Sequence, residues 1–447
     1  MKSLHLQKHA NFPKRFPFYY GWVILVASSI GILASIPGQT MGVSVFTDHL
    51  ISSLGVSRVN LSTAYMVGTL SSSLLIPHAG IFLDRRGARP TATIAALGLV
   101  CSLLILAFSP LITQAIVSLI PSGEVAIAFI VATFGFLGIR FFGQGVTSIA
   151  ARTMVAKWFG PRRGLVVGIM GVTTAFGFSY APQPLQAMVT RYGWVGALQT
   201  ISLLLLVIYL PIVILFFRSD PESVGLEVEE GLPPRNIVKS SLNQDSEIEY
   251  SVAEAKQQVR YWVMMVTMGF WTLFTTAFTF HVVSIHAEIG VAAEQAVKIF
   301  LPISFISVAA QFLGSYLSDR IRLKWLFMAF TSSIMVSSMA IYLLGSDFGT
   351  WLMIASYGIG SGFFSMLSVV AWPKLFGRKH LGAISGFAMS IMVAGSALGP
   401  WLFSVVRSTT GSYRSMGIIG AIAACILLIV TARLPFSRPV SQIKESD

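Results

Sequence analysis

The sequence predicts an all-α membrane protein in which twelve transmembrane helices form two pseudo-symmetric six-helix bundles. Three observations lead to this fold class. Hydrophobic residues make up 54% of the 447 residues and charged residues only 11%, whereas soluble domains carry about 25% charged residues. Twelve apolar runs alternate with short polar loops, and small residues, prolines and charges recur between the two halves. An ordinary soluble globule is therefore excluded.

Each apolar run is long enough to cross a hydrocarbon core of about 30 Å at 1.5 Å per residue. The first run follows a basic N-terminal segment but lacks a small-residue cleavage site, so we interpret it as a span and not as a signal peptide. In chain order, the predicted spans are residues 19–47, 57–83, 90–110, 124–157, 164–190, 194–217, 258–286, 293–317, 323–345, 349–373, 381–406 and 412–433.

Basic residues predict the orientation. Of the 31 lysines and arginines, 25 lie in segments that are cytoplasmic if both termini are inside, and this bias is typical of short loops in membrane proteins. The residues left on the outer side are Arg58, Arg191, Lys298, Arg407 and Arg414, and the remaining one, Arg140, lies within a span. We therefore expect a multi-pass protein of the cell's inner (plasma) membrane with both termini in the cytoplasm.

The two halves are predicted to be copies of one bundle. KWFG at Lys157 recurs as KLFG at Lys374. Small residues and prolines of the fifth span recur 218 residues later in the eleventh, where Gly168, Gly177 and Pro182 correspond to Gly386, Gly395 and Pro400. Such matching crossings and kinks indicate duplication. We expect an N-terminal bundle (residues 1–217), an acidic cytoplasmic linker (218–257) and a C-terminal bundle with a short cytoplasmic tail (258–447).

The remaining composition excludes several classes. The net charge of +13 is spread over short loops and forms no continuous patch, so nucleic acid is not an expected partner. The two cysteines, Cys101 and Cys425, have no ligand spacing, and we expect no metal and no cofactor. The sequence contains no nucleophile–base pair and no phosphate-binding loop, so we do not expect an enzyme.

A charged motif lies between the second and third spans. Residues 80–89, GIFLDRRGAR, contain Asp84 at a depth where a carboxylate should be held by a cation or by a helix N-terminus. The motif matches Gly-x-x-x-Asp-Arg-x-Gly-x-Arg and resembles the signature of the major facilitator superfamily. The resemblance implies a twelve-helix transporter in which this aspartate latches the cytoplasmic ends of the two halves. The repeat places the receiving helix N-terminus near His380 and Leu381.

The latch residues implied by the motif are Gly80, Asp84, Arg85, Gly87 and Arg89, and a degraded second copy, SYLSDRIRLK, contributes Asp319 and Arg320. Two further segments, DPESVGL after the sixth span and HVVSIHAEIG at the end of the seventh, resemble bacterial oxalate/formate-antiporter-like and monocarboxylate-transporter-like members of that superfamily.

Arg140 is the single basic residue deep inside a predicted span. It lies 17 residues before Lys157, about 25 Å along a helix and hence near mid-bilayer. On an α-helix, Gln144 and Thr147 share its face, and the run resembles the superfamily's fourth-helix motif. An intramembrane arginine favours a substrate or coupling role; the alternative is a structural bond to backbone carbonyls.

Other candidates are polar residues of the central helices. The predicted substrate contacts besides Arg140 and Gln144 are Gln39, Thr275, Thr279, Tyr357 and Ser361. His281 is a candidate for proton coupling, because the ordinary pKa of histidine is close to neutral. A hydrogen-bonded structural histidine is the alternative.

These features predict a secondary transporter that moves a small organic anion, such as a monocarboxylate, by alternating access. No Asp or Glu lies deep in a span, which argues against cation pumps and proton-coupled drug exporters. An exporter of neutral or hydrophobic compounds is the alternative, and a multi-pass sensor is a remote one. The expected partners are the lipid bilayer and a small-molecule substrate, with a proton as candidate coupling ion. We expect the protein to function as a monomer.

Overall fold

The computed structural model describes residues 13–119, 123–229, 249–291 and 293–434. Within these residues, eleven helical runs are long and apolar enough to cross a membrane, and one of them, Arg163–Phe216, has 54 residues. Gly193 interrupts that run with φ 71° and ψ 167°, between the predicted fifth and sixth spans. The predicted all-α fold with twelve spans is therefore confirmed.

The chain divides into two compact units. The described residues of Met1–Arg235 and His380–Leu398 form the first unit, and those of Asn236–Lys379 and Gly399–Asp447 form the second. The helix Leu381–Thr410 therefore contributes to both. Residues 230–248 of the predicted linker and 435–447 of the predicted tail lie outside the described residues.

The first unit consists of apolar helices with two π-helical segments, at Ile139–Thr147 and Leu205–Tyr209. Its α-helices are Gly21–Ala34, Thr40–Ser44, Thr47–Leu54, Arg58–Arg86, Ala88–Ala107, Ser109–Leu119, Glu124–Gly138, Ser148–Trp158, Arg163–Tyr180, Pro182–Leu204 and Leu210–Phe216.

The first predicted span, residues 19–47, is broken. The helix Gly21–Ala34 is followed by a 3-10 turn at Ile36–Gly38, and Gln39 is extended with φ −85° and ψ 156°. Pro37 explains the break, because it has no N–H for the carbonyl four residues earlier and its ring clashes with that turn. The predicted continuous helix is therefore wrong at this point, and backbone carbonyls of the break become available to other groups.

Aromatic side chains fill one end of the first unit. Trp158 is fully buried and packs against Tyr19 and Tyr20, with ring centroids 6.0 and 5.5 Å away. The Tyr19 hydroxyl donates to Trp158 O at 2.5 Å, the Tyr20 hydroxyl donates to Phe216 O at 3.0 Å, and Trp158 Nε1 donates to Arg218 O at 2.9 Å. The first two bonds pair carbonyls that a helix end leaves without a partner.

The second unit has longer helices, and side chains cap two of them. Ser251 and Glu254 form a capping box, and Ser346 Oγ accepts the Gly349 N–H at 3.1 Å. Besides the shared helix, its α-helices are Val252–Gln257, Val259–Ala287, Ala293–Ala296, Phe300–Ser318, Leu323–Leu343, Asp347–Phe376 and Arg414–Arg433.

Candidate functional site

Arg140 is buried where the break in the first span meets the π-helical segment. Its side chain is 1% exposed, and Nη1 donates to the carbonyl oxygen of Gly38 at 3.1 Å. A Cβ atom on Gly38 would lie 2.2 Å from the Ile139 carbonyl oxygen. Glycine is therefore required at this position, because any side chain would push the break away from the π-helix and from Arg140.

The rest of the guanidinium has no hydrogen-bond partner among the described residues. Nε and Nη2 are both buried and unpaired. The Tyr65 ring lies on the guanidinium, with its centroid 5.4 Å from Cζ, which provides a cation–π contact. One edge of the guanidinium, with two N–H donors, is therefore left to bind an acceptor.

Gln144 is four residues after this arginine, and Gln39 directly follows Gly38, whose carbonyl the arginine binds. The Oε1 atom of Gln144 is buried without a hydrogen-bond partner among the described residues, while Gln39 Nε2 donates to Ser35 Oγ at 3.1 Å. Thr147 does not join them, because it lies at the end of a π-helical and not an α-helical segment and donates to Phe142 O, five residues earlier.

The second unit brings three predicted contact residues together. The hydroxyls of Thr279 and Tyr357 are 3.2 Å apart, and the Tyr357 hydroxyl donates to Thr275 O at 3.4 Å. Trp271 packs on the Tyr357 ring at a centroid distance of 5.4 Å. Ser361 is one turn further along the same helix and is half-buried. The cluster offers hydroxyl groups on an aromatic wall.

His281 has partners that the sequence did not indicate. Its Nε2 lies 3.0 Å from Pro400 O and 3.3 Å from Ser404 Oγ, and its Nδ1 lies 3.0 Å from the Tyr413 hydroxyl. A carbonyl oxygen only accepts, so Nε2 carries a hydrogen. These partners are more than 100 positions away in sequence, and local patterns contain no signal for them.

An ion pair lies next to His281 and its partner Tyr413. Glu288 accepts from Arg407 Nε at 2.9 Å, from Ser412 Oγ at 3.0 Å and from the Tyr413 N–H at 3.1 Å. Partial burial raises the pKa of Glu288, but these three hydrogen bonds together hold it below its ordinary value. Glu288 therefore joins the start of the last helix to the end of Leu381–Thr410.

The carboxylate of Asp84 binds the N-terminus of the helix Leu381–Thr410. Oδ1 accepts the Gly382 N–H at 2.9 Å and Oδ2 accepts the Ala383 N–H at 2.7 Å. Lys157 Nζ lies 3.4 Å from Oδ1. A Cβ atom on Gly80 would lie 2.2 Å from Gly382 O, so the glycine allows the approach. These contacts lie where the repeat placed them.

Residues after the sixth span hold the other end of the motif. Gly87 adopts φ 87°, which favours glycine. Ser219 Oγ accepts the Ala88 N–H at 2.8 Å, and Arg89 Nε donates to Phe217 O at 3.3 Å. Arg85 is exposed. No motif in the sequence indicated Ser219, although it directly precedes the DPESVGL segment.

In the second copy of the motif, Asp319 is 3.5 Å from Lys374 Nζ, and Lys374 also donates to Ser318 O. The pair repeats the geometry of Asp84 and Lys157, and the two lysines are those of KLFG and KWFG. Arg320 is exposed, and its Nη1 donates to Tyr316 O at 3.3 Å.

Comparison with known proteins is consistent with this architecture. Human monocarboxylate transporter 14 is 22% identical, over 92% of this chain and 90% of that protein. The crystal structure of the human organic anion transporter MFSD10 (TETRAN) superimposes with a TM-score of 0.62 at 14% identity, over 93% of this chain and all of that one. The E. coli fucose:proton symporter FucP does so with a TM-score of 0.61 at 13% identity, over 94% and 99%.

At these identities the structural matches show the fold alone. The family model described as Major Facilitator Superfamily matches residues 28–400, which is most of the chain. The motif around Asp84, the two Asp–Lys pairs and eleven of the twelve spans lie within or overlap this range, and the last helix, Arg414–Arg433, follows it. The chain therefore belongs to the Major Facilitator Superfamily.

Proposed function

We propose that this transporter moves a small organic anion, such as a monocarboxylate, and that Arg140 binds its negative charge. Membership in the superfamily assigns the chain to secondary transport of a small solute. The observation that carries the anion proposal is the buried edge of Arg140, on which Nε and Nη2 have no partner among the described residues.

Burial of a guanidinium is unfavourable unless its charge and donors are matched. Gly38 O is a neutral acceptor for one N–H, and the Tyr65 ring is a weak cation–π partner. A carboxylate would add an opposite charge and two acceptors in the geometry of a bidentate pair. An anionic substrate therefore completes the hydrogen bonding of Arg140 in a way that a neutral one does not.

The names of two similar proteins support an anion. One is a human monocarboxylate transporter and the other a human organic anion transporter. On this proposal, Gln144 and Gln39 are substrate contacts of the first unit, and Thr275, Thr279, Tyr357 and Ser361 are those of the second. Alternating access, and both termini in the cytoplasm, belong to the same proposal.

A proton is the proposed coupling ion, with His281 as its carrier. The Nδ1 of His281 faces the hydroxyl of Tyr413, which donates to a neutral ring and accepts from a protonated one. Protonation at Nδ1 therefore keeps this hydrogen bond. A structural histidine predicts that His281→Gln has the same pH profile of transport as the wild type, whereas a carrier predicts a changed profile.

The anion proposal is tested by a thermal-shift screen of carboxylates on the purified protein, followed by binding assays on two variants. Arg140→Lys should weaken binding of the stabilising carboxylate by about tenfold, because the fork is lost, and Arg140→Gln by about 100-fold. Arg191→Gln removes an exposed charge and serves as the control.

Unchanged carboxylate affinity in a stable Arg140→Gln protein would overturn the proposal. If the variant loses stability equally with and without ligand, Arg140 is a structural residue. Stabilisation by uncharged compounds alone would favour the exporter of neutral or hydrophobic compounds.

A further inference from the structure

A carboxylate from the segment after the sixth span binds a short loop in the first unit. Glu229 Oε1 accepts the N–H groups of Gly160 and Arg162 at 3.1 and 2.7 Å, and its Oε2 accepts from Arg162 Nη1 at 2.9 Å. The side chain is 6% exposed. Pro161 between the two donors has no N–H, so the carboxylate pairs the N–H groups on both sides of it.

The backbone of Glu229 is unusual. Among the described residues it is the only non-glycine residue with positive φ, at 58°. A left-handed conformation is unfavourable for a side chain with a Cβ, and it persists where surrounding contacts over-determine it. The three hydrogen bonds of the carboxylate are such contacts.

A second carboxylate binds the corresponding loop in the second unit. Glu249 Oε2 accepts the N–H groups of Arg378 and Lys379 at 2.7 and 2.8 Å. The next residue, Tyr250, donates its N–H to Phe376 O at 3.1 Å. A Cβ atom on Gly377 would lie 2.2 Å from Glu249 Oε2, so this approach needs the glycine.

The two loops are equivalent in the repeat. Gly160–Arg162 begins at the glycine of KWFG and Gly377–Lys379 at the glycine of KLFG, at a constant offset of 217 residues. A long helix follows each loop: Arg163–Tyr180 directly after Arg162, and Leu381–Thr410 with one residue between it and Lys379. Glu229 and Glu249 stand on either side of residues 230–248. The two carboxylates of the predicted linker thus bind equivalent loops in the two copies.

The loop bound by Glu249 is close in sequence to the partner of Asp84. Lys379 donates to Glu249, and Gly382, three residues later, donates to Asp84. The first bond lies within the second unit and the other within the first. Glu249 therefore binds N–H groups just before the helix Leu381–Thr410, and Asp84 binds N–H groups in its first turn.

We propose that Glu229 and Glu249 are positioning residues of the transporter. Each holds the loop ahead of a long helix, and Glu249 thereby fixes the helix N-terminus that receives Asp84. This inference rests on the proposed transport function, since it assigns the predicted linker a role in setting the latch. The contacts of Glu229 and Glu249 do not involve Arg140 or the substrate.

Amide hydrogen exchange of the purified full-length protein tests this role without a substrate. Glu249→Gln should speed exchange at Arg378 and Lys379 by about tenfold, because two charge-assisted bonds are weakened. It should also speed exchange at Gly382 and Ala383. Because the latter amides bind Asp84, a residue that only stabilises its own loop would leave them unchanged.

Glu254→Gln is the matched control, because it removes the same charge from a residue that caps its own helix. In an Asp84→Asn background, Glu249→Gln should add no further exchange at Gly382 and Ala383. In the first unit, Glu229→Gln should speed exchange at Gly160 and Arg162.

Unchanged exchange at Gly382 and Ala383 in Glu249→Gln would overturn the proposal, as would an equal effect of Glu254→Gln. So would unchanged exchange at Gly160 and Arg162 in Glu229→Gln. A failed anion screen would leave these outcomes as they are, so the two proposals fail separately.

Discussion

Asp84 and Arg140 are both buried charges of the first unit, and they are stabilised in different ways. Asp84 has two backbone N–H groups and Lys157 as partners, which is a complete anion site at a helix N-terminus. Arg140 has one carbonyl and one aromatic face. The first charge is satisfied within the protein, and the second retains capacity for a ligand.

Asp84→Asn should leave the protein folded and inserted but remove most transport. A neutral amide loses the charge-assisted bonds to Gly382 and Ala383, each worth about 1.5–3 kcal/mol, and its NH2 group would face an N–H donor. The measurement is transport of a carboxylate found by the screen, in vesicles with equal amounts of protein.

Asp347→Asn is the control, because that carboxylate is exposed in the first turn of its helix. Wild-type transport in the Asp84→Asn protein would show that the contact with the helix N-terminus is dispensable for the cycle.

The pH dependence of stability should report the protonation of the Glu288 carboxylate. The folded protein holds the pKa of the Glu288 carboxyl below its ordinary value of 4.5. The carboxylate therefore stabilises the folded state fully above pH 4.5, and this stabilisation is lost as the pH falls through the lowered pKa. Glu288→Gln should therefore melt below the wild type near neutral pH, and the two should converge in acid. Melting curves from about pH 7 to about pH 3 test this; a constant difference would contradict it.

At the scale of elements, the site depends on two irregular segments packed against each other. The break at Pro37–Gln39 supplies a free carbonyl, and the π-helix Ile139–Thr147 places Arg140 next to it. Irregular backbone at membrane depth is tolerated where protein buries it or where it lines a cavity, and π-helical segments are frequent at functional sites.

Gly38→Ala should lower the melting temperature and weaken anion binding. The new methyl group would lie 2.2 Å from a carbonyl oxygen of the π-helix, and backbone cannot move aside as a flexible side chain can. Such overpacking costs about 1–3 kcal/mol. Gly31→Ala is the control on the preceding helix, since its neighbours begin at 3.4 Å. Equal melting temperatures for the two variants would contradict the tight crossing.

The sequence predicted the regular elements well and the irregular ones poorly. Apolar length predicted the spans, and Gly193 lies between two of them. The helix N-terminus that binds Asp84 was predicted because the repeat carries positional information. The bond from Arg140 to Gly38 was not, because it depends on a helix break and a π-helix, which hydrophobic periodicity does not register. The partners of His281 were not predicted either, because they lie more than 100 positions away in sequence.

At the scale of the whole molecule, the distribution of lysines and arginines predicts that both termini lie in the cytoplasm. In a protein with Cys101 and Cys425 replaced, a cysteine at Ser223 should label from the cytoplasmic side and one at Ser118 from the outside. Both positions are exposed. Labelling with a membrane-impermeant reagent on intact cells is the measurement, and Ser223 reacting from outside would reverse the assignment.

The π-helix Ile139–Thr147 also makes the two copies of the repeat differ in backbone conformation around Arg140. Residues 139–147 correspond to residues 356–364, which belong to the uninterrupted α-helix Asp347–Phe376. A π turn takes up more residues than an α turn, so equal numbers of residues wind through different angles in the two copies. Side chains beyond this stretch in one copy are rotated relative to their sequence counterparts in the other. An internal superposition by sequence position alone would therefore go out of phase next to Arg140 and Tyr357, and symmetry is lost at the pair of positions where only one copy has a cation.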